Sequence, residues 1–413
     1  MFQSQLFPKT KKQAPKDAVS VNHKLLVRAG FIDQLMAGSW TLLPLGWRVV
    51  NKINQIIREE MNAIGGQEML MPLLHPKSIW NETGRWDKAD EIMYKLKDSR
   101  KREYVLSFTH EEIVMDLLRK NIKSYADLPI AVYHFSTKFR NEPRARSGIL
   151  RGREFMMKDL YSAHETEEDL LNYYEKVKLA YKKVFERIGF NFRITEASGG
   201  VFTDRYTHEF QVLVDSGEDT IFICDKCDWG VNAEIFEKEE GVLCEKCGEG
   251  RILKRKSIEV GNIFPLGTWY AERMRMYFTD REGKKRPVWF GSYGIGPTRT
   301  MGTWVEVSHD EKGIIWNKVI SPFDIHLLDI RTNKDANVVD DLFFKLCQAG
   351  LETLVDDREI SPGEKFADSD LIGIPVRLVI SDKTADLIEY KDRRSEETKL
   401  LSLDELLNRL KNG

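Results

Sequence analysis

The segment from Thr137 to His164, TKFRNEPRARSGILRGREFMMKDLYSAH, constrains this chain more than any other. It reads as one strand, a loop and a second strand, with Arg140 and Glu142 alternating onto one face of the first. Arg144, Arg146, Ser147, Gly148, Arg151 and Gly152 follow, and Arg153-Glu154-Phe155 re-enters extended structure with an aromatic ring beside the first strand. A guanidinium fork suits phosphate, a carboxylate accepts from an amino group, and a ring stacks on a base. Together these residues describe an adenine-nucleotide site. Taken singly, each is ordinary for a solvated hairpin or a core strand.

Two further segments change that balance. From Gly46 to Leu74, Val49, Val50, Ile53, Ile57, Met61 and Ile64 form a helical stripe that Gly65-Gly66 stops, and MLMPLL then reads as a strand carrying Pro72. From Gly291 to Glu306, a glycine-bearing strand leads into a helix with Arg299 near the junction. Glycine runs alone mostly mark turns. In this order, however, the three segments resemble motifs 1, 2 and 3 of the class II aminoacyl-tRNA synthetases. The resemblance implies an α+β fold built on an antiparallel sheet, ATP as co-substrate, a tRNA partner, and a homodimer whose interface motif 1 builds.

Composition sets the bounds. A chain of 413 residues with 42% hydrophobic content can bury a large core in two or three domains. Its 63 Lys and Arg against 65 Asp and Glu leave a formal charge of -2, so nucleic acid must be met by local patches such as the Arg144 to Arg153 loop. The leading residues MFQSQLFPKTKKQAPKDAVS have no apolar signal core, and no stretch has the length that crossing a bilayer requires. A cytoplasmic protein without a membrane partner is expected.

Five cysteines fit that compartment better as metal ligands than as disulfides. Cys224, Cys227, Cys244 and Cys247 form C-x2-C-x16-C-x2-C, in which two thiolate knuckles can close a tetrahedral zinc site. The intervening DWGVNAEIFEKEEGVL is too short and charged to own a core, so a metal would hold the module together. Four thiolates leave no open position for chemistry, which makes the role structural. Cys347, in DDLFFKLCQAG, is expected as a small buried hydrophobe.

Along its length the chain divides into a catalytic domain over 1–319, a four-cysteine zinc-knuckle insertion over 224–256 within it, and a small α/β domain over 320–413. A polar helical lead ends near Gly38, and a helix begins at Glu111 with Ile113, Val114, Leu117 and Leu118 on its buried side. Glu167 to Ile188 is a long amphipathic helix, and FNFRITEA, HEFQVLVD and TIFIC read as strands. Strands grouped apart from helices point to an antiparallel sheet. Past residue 320, FDIHLLDI, LETLVDD and PVRLVIS read as strands with helices between them.

The resemblance narrows to the prolyl-tRNA synthetases of bacterial type over nearly the whole chain. It is carried by SQLF, LLVRAGFIDQLMAGSWTLLPLGWRV, FTHEE, REFMMKDLYSAH, HEFQV, VGNIFPLGTWYAERM, GSYGIG and DDREISPGEKFADSDLIGIPVRLVIS. L-proline offers a secondary ammonium, a carboxylate and a compact apolar ring, and its site needs acceptors, an arginine and an apolar wall. Thr109 and Glu111 alternate on one face of a strand leading into a helix and resemble the family's ammonium receivers, although the local sequence by itself favours a helix cap for Thr109-His110-Glu111. By the same resemblance Arg140 meets the substrate carboxylate and the ATP α-phosphate, and Met157, Tyr161 and Phe210 line the ring with His208 and Ser292 nearby. Arg151 and Arg299 fall to the pyrophosphate end, Glu142 to the adenine amino group and Phe155 to stacking on the base. Glu209 and Gln211 are candidates for Mg2+ or ribose, or simply face solvent. Because the attacking carboxylate is already ionised, activation needs alignment and charge compensation and no general base.

The last domain resembles the anticodon-binding domain of several class II enzymes, with Arg358 and Lys365 on a loop beside a helix start, placed to meet tRNA or to form an exposed mixed-charge loop. One departure stands out. Enzymes of bacterial type often carry a large editing domain between motifs 2 and 3. Here WGVNAEIFE passes through the cysteine knuckles and the basic GRILKRKSIE straight back to VGNIF, leaving no room for a hydrolytic domain. That segment is read as a brace or an added tRNA contact. Rival readings are a threonyl or glycyl synthetase, which shares all three motifs, and a non-catalytic tRNA-binding paralogue, which need not keep the arginines.

Overall fold

The computed structural model describes residues 1–200, 206–332, 336–384 and 386–412. By internal contacts the chain forms two units, one of residues 35–40 with 53–303 and the other of 1–34, 41–52 and 304–413.

The first unit is built on a nine-stranded sheet. Its strands are β1 (Gln67–Glu68), β2 (Ile130–Phe139), β3 (Glu154–His164), β4 (Phe192–Ala197), β5 (Thr207–Leu213), β6 (Asp219–Cys224), β7 (Gly230–Asn232), β8 (Ile252–Gly267) and β9 (Trp289–Ile295). Their order is β5-β4-β7-β6-β8-β9-β3-β2-β1, and β5 pairs with β8 as well, closing five strands into a ring. The central pairs are antiparallel; β1 with β2 and β7 with β4 run parallel. The antiparallel sheet expected of an α+β fold is therefore present.

Register fixes what each face carries. Tyr161 of β3 lies between Val132 of β2 and Ser292 of β9, and Asp159 lies between His134 and Gly294. Because successive side chains alternate across a strand, Phe155, Met157, Asp159 and Tyr161 line an open cavity on one face. Met156, Lys158 and Leu160 face the other way, where Met156 meets Asn54 and the Lys158 ammonium meets the Tyr181 hydroxyl. That rear face is covered by the helix expected at Glu167–Ile188, whose start is capped by the Thr166 hydroxyl on the Asp169 N–H and whose end is Gly189 at φ +91°. Its Leu170, Tyr174, Val177, Tyr181, Val184 and Ile188 are buried and Leu171 is exposed.

Motif 1 folds as a helix over Pro44–Ala63 with Val49, Val50, Ile53, Ile57 and Met61 buried. Gly65, at φ +84°, ends it as expected. The strand expected at MLMPLL does not form there: Gln67 and Glu68, just before it, pair with β2, and only its last residue, Leu74, is in a strand, Leu74–Pro76; Pro72 between them cannot donate to a ladder. Residues 111–121 are helical, with Val114 and Leu118 inside but Leu117 exposed. The N-terminal lead is helical over Gln3–Gln5, a 3-10 turn, and Val21–Arg28, after which Ile32–Met36 and Ser39–Leu42 pair as strands.

The second unit holds a five-stranded sheet of β10 (Ile325–Asp329), β11 (Thr353–Asp356), β12 (Val376–Ile380), β13 (Ile388–Asp392) and β14 (Thr398–Leu401), in the order β11-β10-β12-β13-β14. The three strands read from the sequence are the parallel centre, and β13 and β14, which were not read, extend it antiparallel. The chain's first residues join this unit, Phe2 bridging to Val355 and the Gln3 amide oxygen lying 2.7 Å from His326 Nε2. Cys347 is exposed, a correction to its expected burial: the helix Ala336–Gln348 turns Leu342 and Leu346 inward instead.

Phe210 of β5 is 0% exposed and packs at 5.3–6.1 Å from the rings of Phe185, Tyr181 and Phe192, on the helix-covered face. Phe210→Ala is therefore expected to cost about 3–5 kcal/mol of stability, read as a lower urea midpoint, and a midpoint equal to the parent's would remove Phe210 from this core.

Candidate active site

A cavity of about 370 Å³ opens on the front of the first unit, lined by residues of the motif-2 strands and loop, β8, β9, the start of the helix Pro297–Val307 and the segment after Ser107. It brings together Thr109, Glu111, Arg140, Glu142, Arg151, Phe155, Met157, Tyr161, Ser292 and Arg299.

At its inner end Glu111 begins the helix Glu111–Asn121 and Thr109 precedes it in a loop, not on a strand as their alternation suggested. The Thr109 hydroxyl donates to Glu111 Oε2 at 2.6 Å, and Ser292 donates to Oε1 at 3.0 Å. Behind Glu111 stands Arg85, buried among Trp80, Phe108 and Tyr270, with Nη1 3.3 Å from Glu111 and 3.1 Å from Glu112. The Tyr161 hydroxyl accepts from the His110 N–H at 3.0 Å and donates to Asp159 at 3.1 Å.

Arg140 also sits just past its strand, since β2 ends at Phe139. Its guanidinium lies 5.2 Å over the Phe155 ring, and its Nε is buried with no partner among the described residues. Burial and the neighbouring Arg299 charge lower its pKa. Arg299 is held by Leu150 O at 2.8 Å and by Glu259 at 3.2 Å. Gly302, one turn on, touches the same loop closely: a Cβ there would lie 2.8 Å from Ile149. Arg151 pairs with Glu142 at 3.0 Å, while Glu218 collects Ser147 at 2.8 Å, Arg146 at 3.0 Å and Arg151 at 3.6 Å.

Glu209 and Gln211 share one face of β5, with Gln211 Nε2 donating to Glu209 at 2.9 Å. They do not face solvent. Asn232 and Asn262 donate to the Glu209 carboxylate at 2.9 and 3.3 Å. Burial, and then the charge of Glu259, push the Glu209 carboxyl up to about 8. Burial raises Glu259 as well. Two carboxylates held against each other in this way favour a cation between them.

Three predicted residues stand elsewhere, and a fourth is tied down where it lies. His208 and Phe210 alternate with Glu209 and Gln211, so they point to the rear face; His208 Nδ1 lies 2.6 Å from the Tyr174 hydroxyl. Lys365 lies within the helix Pro362–Ile372, 2% exposed, and donates to Asp329 O and Asp356 O at 2.7 and 2.8 Å. Arg358 is on a loop but is drawn to Asp356 and Asp368, each at 2.7 Å. Lys365 ties together the ends of two parallel strands, and Arg358 ties one strand end to the helix Pro362–Ile372.

The four cysteines form no disulfide. Their sulfurs all lie within 4.8 Å of one another, with Cys224–Cys247 at 3.7 Å and Cys227–Cys244 at 3.8 Å. Tetrahedral ligation at a Zn–S distance of ~2.3 Å sets sulfurs ~3.8 Å apart. The N–H groups of Cys227 and Gly250 donate to Cys224 and Cys247 at 3.4 and 3.3 Å. A Cβ on Gly250 would come within 2.3 Å of the Cys224 sulfur, so glycine is required there. The donor set fits a structural zinc. Phe222, Trp229, Phe236 and Val242 pack on the cluster, giving the module more apolar contact than its charge suggested.

A second group, His110, His134 and Asp159, could also ligate a cation. Lys138 already fills that role, with its Nζ 2.5 Å from Asp159 and 2.7 and 3.2 Å from the two imidazoles.

Comparison with known proteins agrees with this arrangement. Residues 94–308 match the family described as the tRNA synthetase class II core domain (G, H, P, S and T), and residues 319–413 match the anticodon binding domain. A proline–tRNA ligase of Agrobacterium fabrum is 38% identical over 96% of this chain and 97% of its own. The chain belongs to the proline–tRNA ligase family. Another member, from Persephonella marina, is 33% identical over 99% of this chain and 100% of its own. That alignment runs over 564 positions although this chain has 413 residues, so the relative carries a long stretch with no counterpart here. A crystal structure of prolyl-tRNA synthetase from Cryptosporidium parvum, complexed with L-proline and AMP, shares the fold with a TM-score of 0.77 at 16% identity, over 95% of this chain and 74% of its own.

Against that family frame, sequence reasoning missed Arg85, Asp159, Glu259 and Asp219. Asp159 was legible, two residues before Tyr161 on the same strand face; the others lie on segments whose neighbours only the fold reveals.

Proposed function

We propose that this proline–tRNA ligase condenses L-proline with ATP in the cavity described and transfers the prolyl group to the 3′ end of proline-specific tRNA. The single observation that carries the site assignment is the meeting of the Thr109–Glu111 acceptor pair with Arg140 and Arg299 in one cavity. The ring of proline fits against Met157 and Tyr161, with its ammonium on Glu111 and Thr109. Its carboxylate, already ionised, attacks the α-phosphorus of ATP, and pyrophosphate departs. No proton has to move in that step. Arg140, which lines the cavity and has an unpartnered Nε among the described residues, bridges carboxylate and α-phosphate; Arg299 and Arg151 take up charge on the leaving pyrophosphate; Phe155 stacks on adenine and Glu142 accepts from its amino group. Glu209 and Glu259 would hold Mg2+, which when bound neutralises phosphate charge.

Residues 1–319 would carry catalysis and 320–413 tRNA recognition. With Lys365 and Arg358 bound internally, they would shape the tRNA surface without touching bases. A homodimer is supported by Leu35, Met36, Leu70 and Leu74, all more than half exposed near motif 1. Among the described residues no helix is long and apolar enough to cross a membrane, in keeping with a cytoplasmic enzyme.

ATP–pyrophosphate exchange is expected with proline and not with threonine or glycine, and Arg140→Ala should lower kcat/KM in that assay by roughly 10²–10³-fold; exchange driven by threonine, or an unaffected variant, would overturn the assignment. Purified protein should hold one zinc per chain, and Cys244→Ser should lose it and open residues 224–256 to protease; equal zinc content in both would remove the cysteines as ligands. With the cysteine module where an editing domain would stand, alanyl-tRNA specific for proline should persist in the enzyme's presence for as long as in buffer.

A further inference from the structure

The inner end of the cavity contains one acceptor that the reading above leaves without work. Asp159 is 3% exposed, lines the cavity, and divides its carboxylate unequally. Oδ2 receives the Lys138 ammonium at 2.5 Å and the Tyr161 hydroxyl at 3.1 Å, with His134 Nε2 3.3 Å away. Oδ1 is buried and has no hydrogen-bond partner among the described residues. A buried carboxylate oxygen left unpaired is costly, so such an atom marks where a ligand donor belongs.

Its surroundings say which donor. Lys138, itself 0% exposed, is fixed by Ser136 at 2.8 Å and by His110 at 2.7 Å, so Oδ2 cannot swing round to share its bonds. Across the ladder Asp159 faces Gly294, which has no side chain to cover Oδ1. The Tyr161 hydroxyl ties Asp159 to the His110 N–H, the residue next to Glu111, so both acceptors belong to one end of the cavity. Glu111 is engaged through both of its oxygens by Thr109 and Ser292 and has limited room for more than one incoming N–H. A secondary ammonium brings two.

We infer that Asp159 Oδ1 receives the second ammonium N–H of proline, that Glu111 and Thr109 receive the first, and that Lys138 is a positioning residue that locks the Asp159 carboxylate in the receiving orientation. The inference rests on the proline-site reading given under Proposed function and adds a substrate contact to it. It also gives a reason for a charged pair inside the sheet, where an apolar pair would serve stability as well or better.

The test pairs a residue change with a ligand change. Asp159→Asn keeps the shape and an acceptor for Lys138 but presents an amide where Oδ1 stood. KM for proline and for ATP are measured in pyrophosphate exchange, together with Ki for tetrahydrofuran-2-carboxylate, in which ether oxygen replaces the ammonium and no N–H is offered. Expected is a rise in KM for proline of roughly 10- to 100-fold, the equivalent of one hydrogen bond to a charged group. KM for ATP and Ki for the ether should move less than about threefold, since neither uses Oδ1. An unchanged KM for proline overturns the inference. So does a Ki for the ether that rises as far as KM for proline, because the effect would then be one of shape. If Asp159→Asn shows no cooperative urea transition, Lys138→Met with Asp159→Asn, which removes both buried charges together, takes its place under the same criteria. Absence of proline-dependent exchange in the parent chain would instead defeat the functional reading itself.

Discussion

The structure depends on the alternation of one strand, β3, held in register between β2 and β9. Its odd-numbered residues Phe155, Met157, Asp159 and Tyr161 make one wall of the cavity, while Met156, Lys158 and Leu160 key into the covering helices. A slip of one residue would exchange the two sets and bury the site. Register is therefore the property that the rear core protects, and the aromatic packing of Tyr181, Phe185 and Phe210 behind the sheet serves catalysis by preventing that slip.

On the front face the balance of forces is reversed. The Arg299 charge adds to burial in lowering the affinity of Arg140 for protons, and the Glu259 charge adds to burial in raising that of Glu209, so like charges oppose each other around the site. None of this favours the empty fold. Each pair would become favourable with a charge of the opposite sign beside it: phosphate oxygens for the arginines, a divalent cation for the carboxylates. The self-repulsion is part of preorganisation, since groups that already stand in place need not be gathered when charge develops. Arg299 shows how this is sustained, with its guanidinium shared between the Leu150 carbonyl and Glu259. It is fixed on both sides and still reaches the cavity.

Much of this was legible in the sequence because the informative residues are local. The helix at Glu167–Ile188 was readable from its own apolar periodicity. The Arg140–Phe155 loop announced itself by composition, and the cysteine spacing gave the four-sulfur cluster. What failed did so where tertiary contacts override local pattern. Glu209 and Gln211 look like solvent-facing strand residues until β5 closes on β8 as well as β4 and the supposed outside becomes an interior. His208 and Phe210 share that strand, and their resemblance to pocket residues could not reveal that parity sends them to the helix side. Lys365 and Arg358 look free in sequence because the aspartates that take them, Asp356 and Asp368, give no sign of reaching back. Arg85 was invisible for the same reason: its partners Glu111 and Glu112 lie on a separate helix far along the chain, and nothing local marks an arginine as buried.

The cysteine module shows what a short connection between two paired strands requires. Strands β6 and β8 pair from Asp219 with Ser257 to Cys224 with Ile252, and the chain between them must leave and return at one point. A large insertion can hold its own ends together through its own core, but about thirty residues cannot bury enough apolar surface to do so. Four thiolates around one ion would supply the missing constraint, since metal binding to such a site is worth folding free energy directly. The consequence reaches the cavity, because the two strands so clamped carry Asp219 and Glu259 into its wall. An apolar cluster of Phe222, Trp229, Phe236 and Val242 packs against the cysteines, of which Cys224 and Cys244 are buried. Loss of the metal would then be felt first as looseness in the register of β6 against β8, and only through it as weaker handling of the nucleotide.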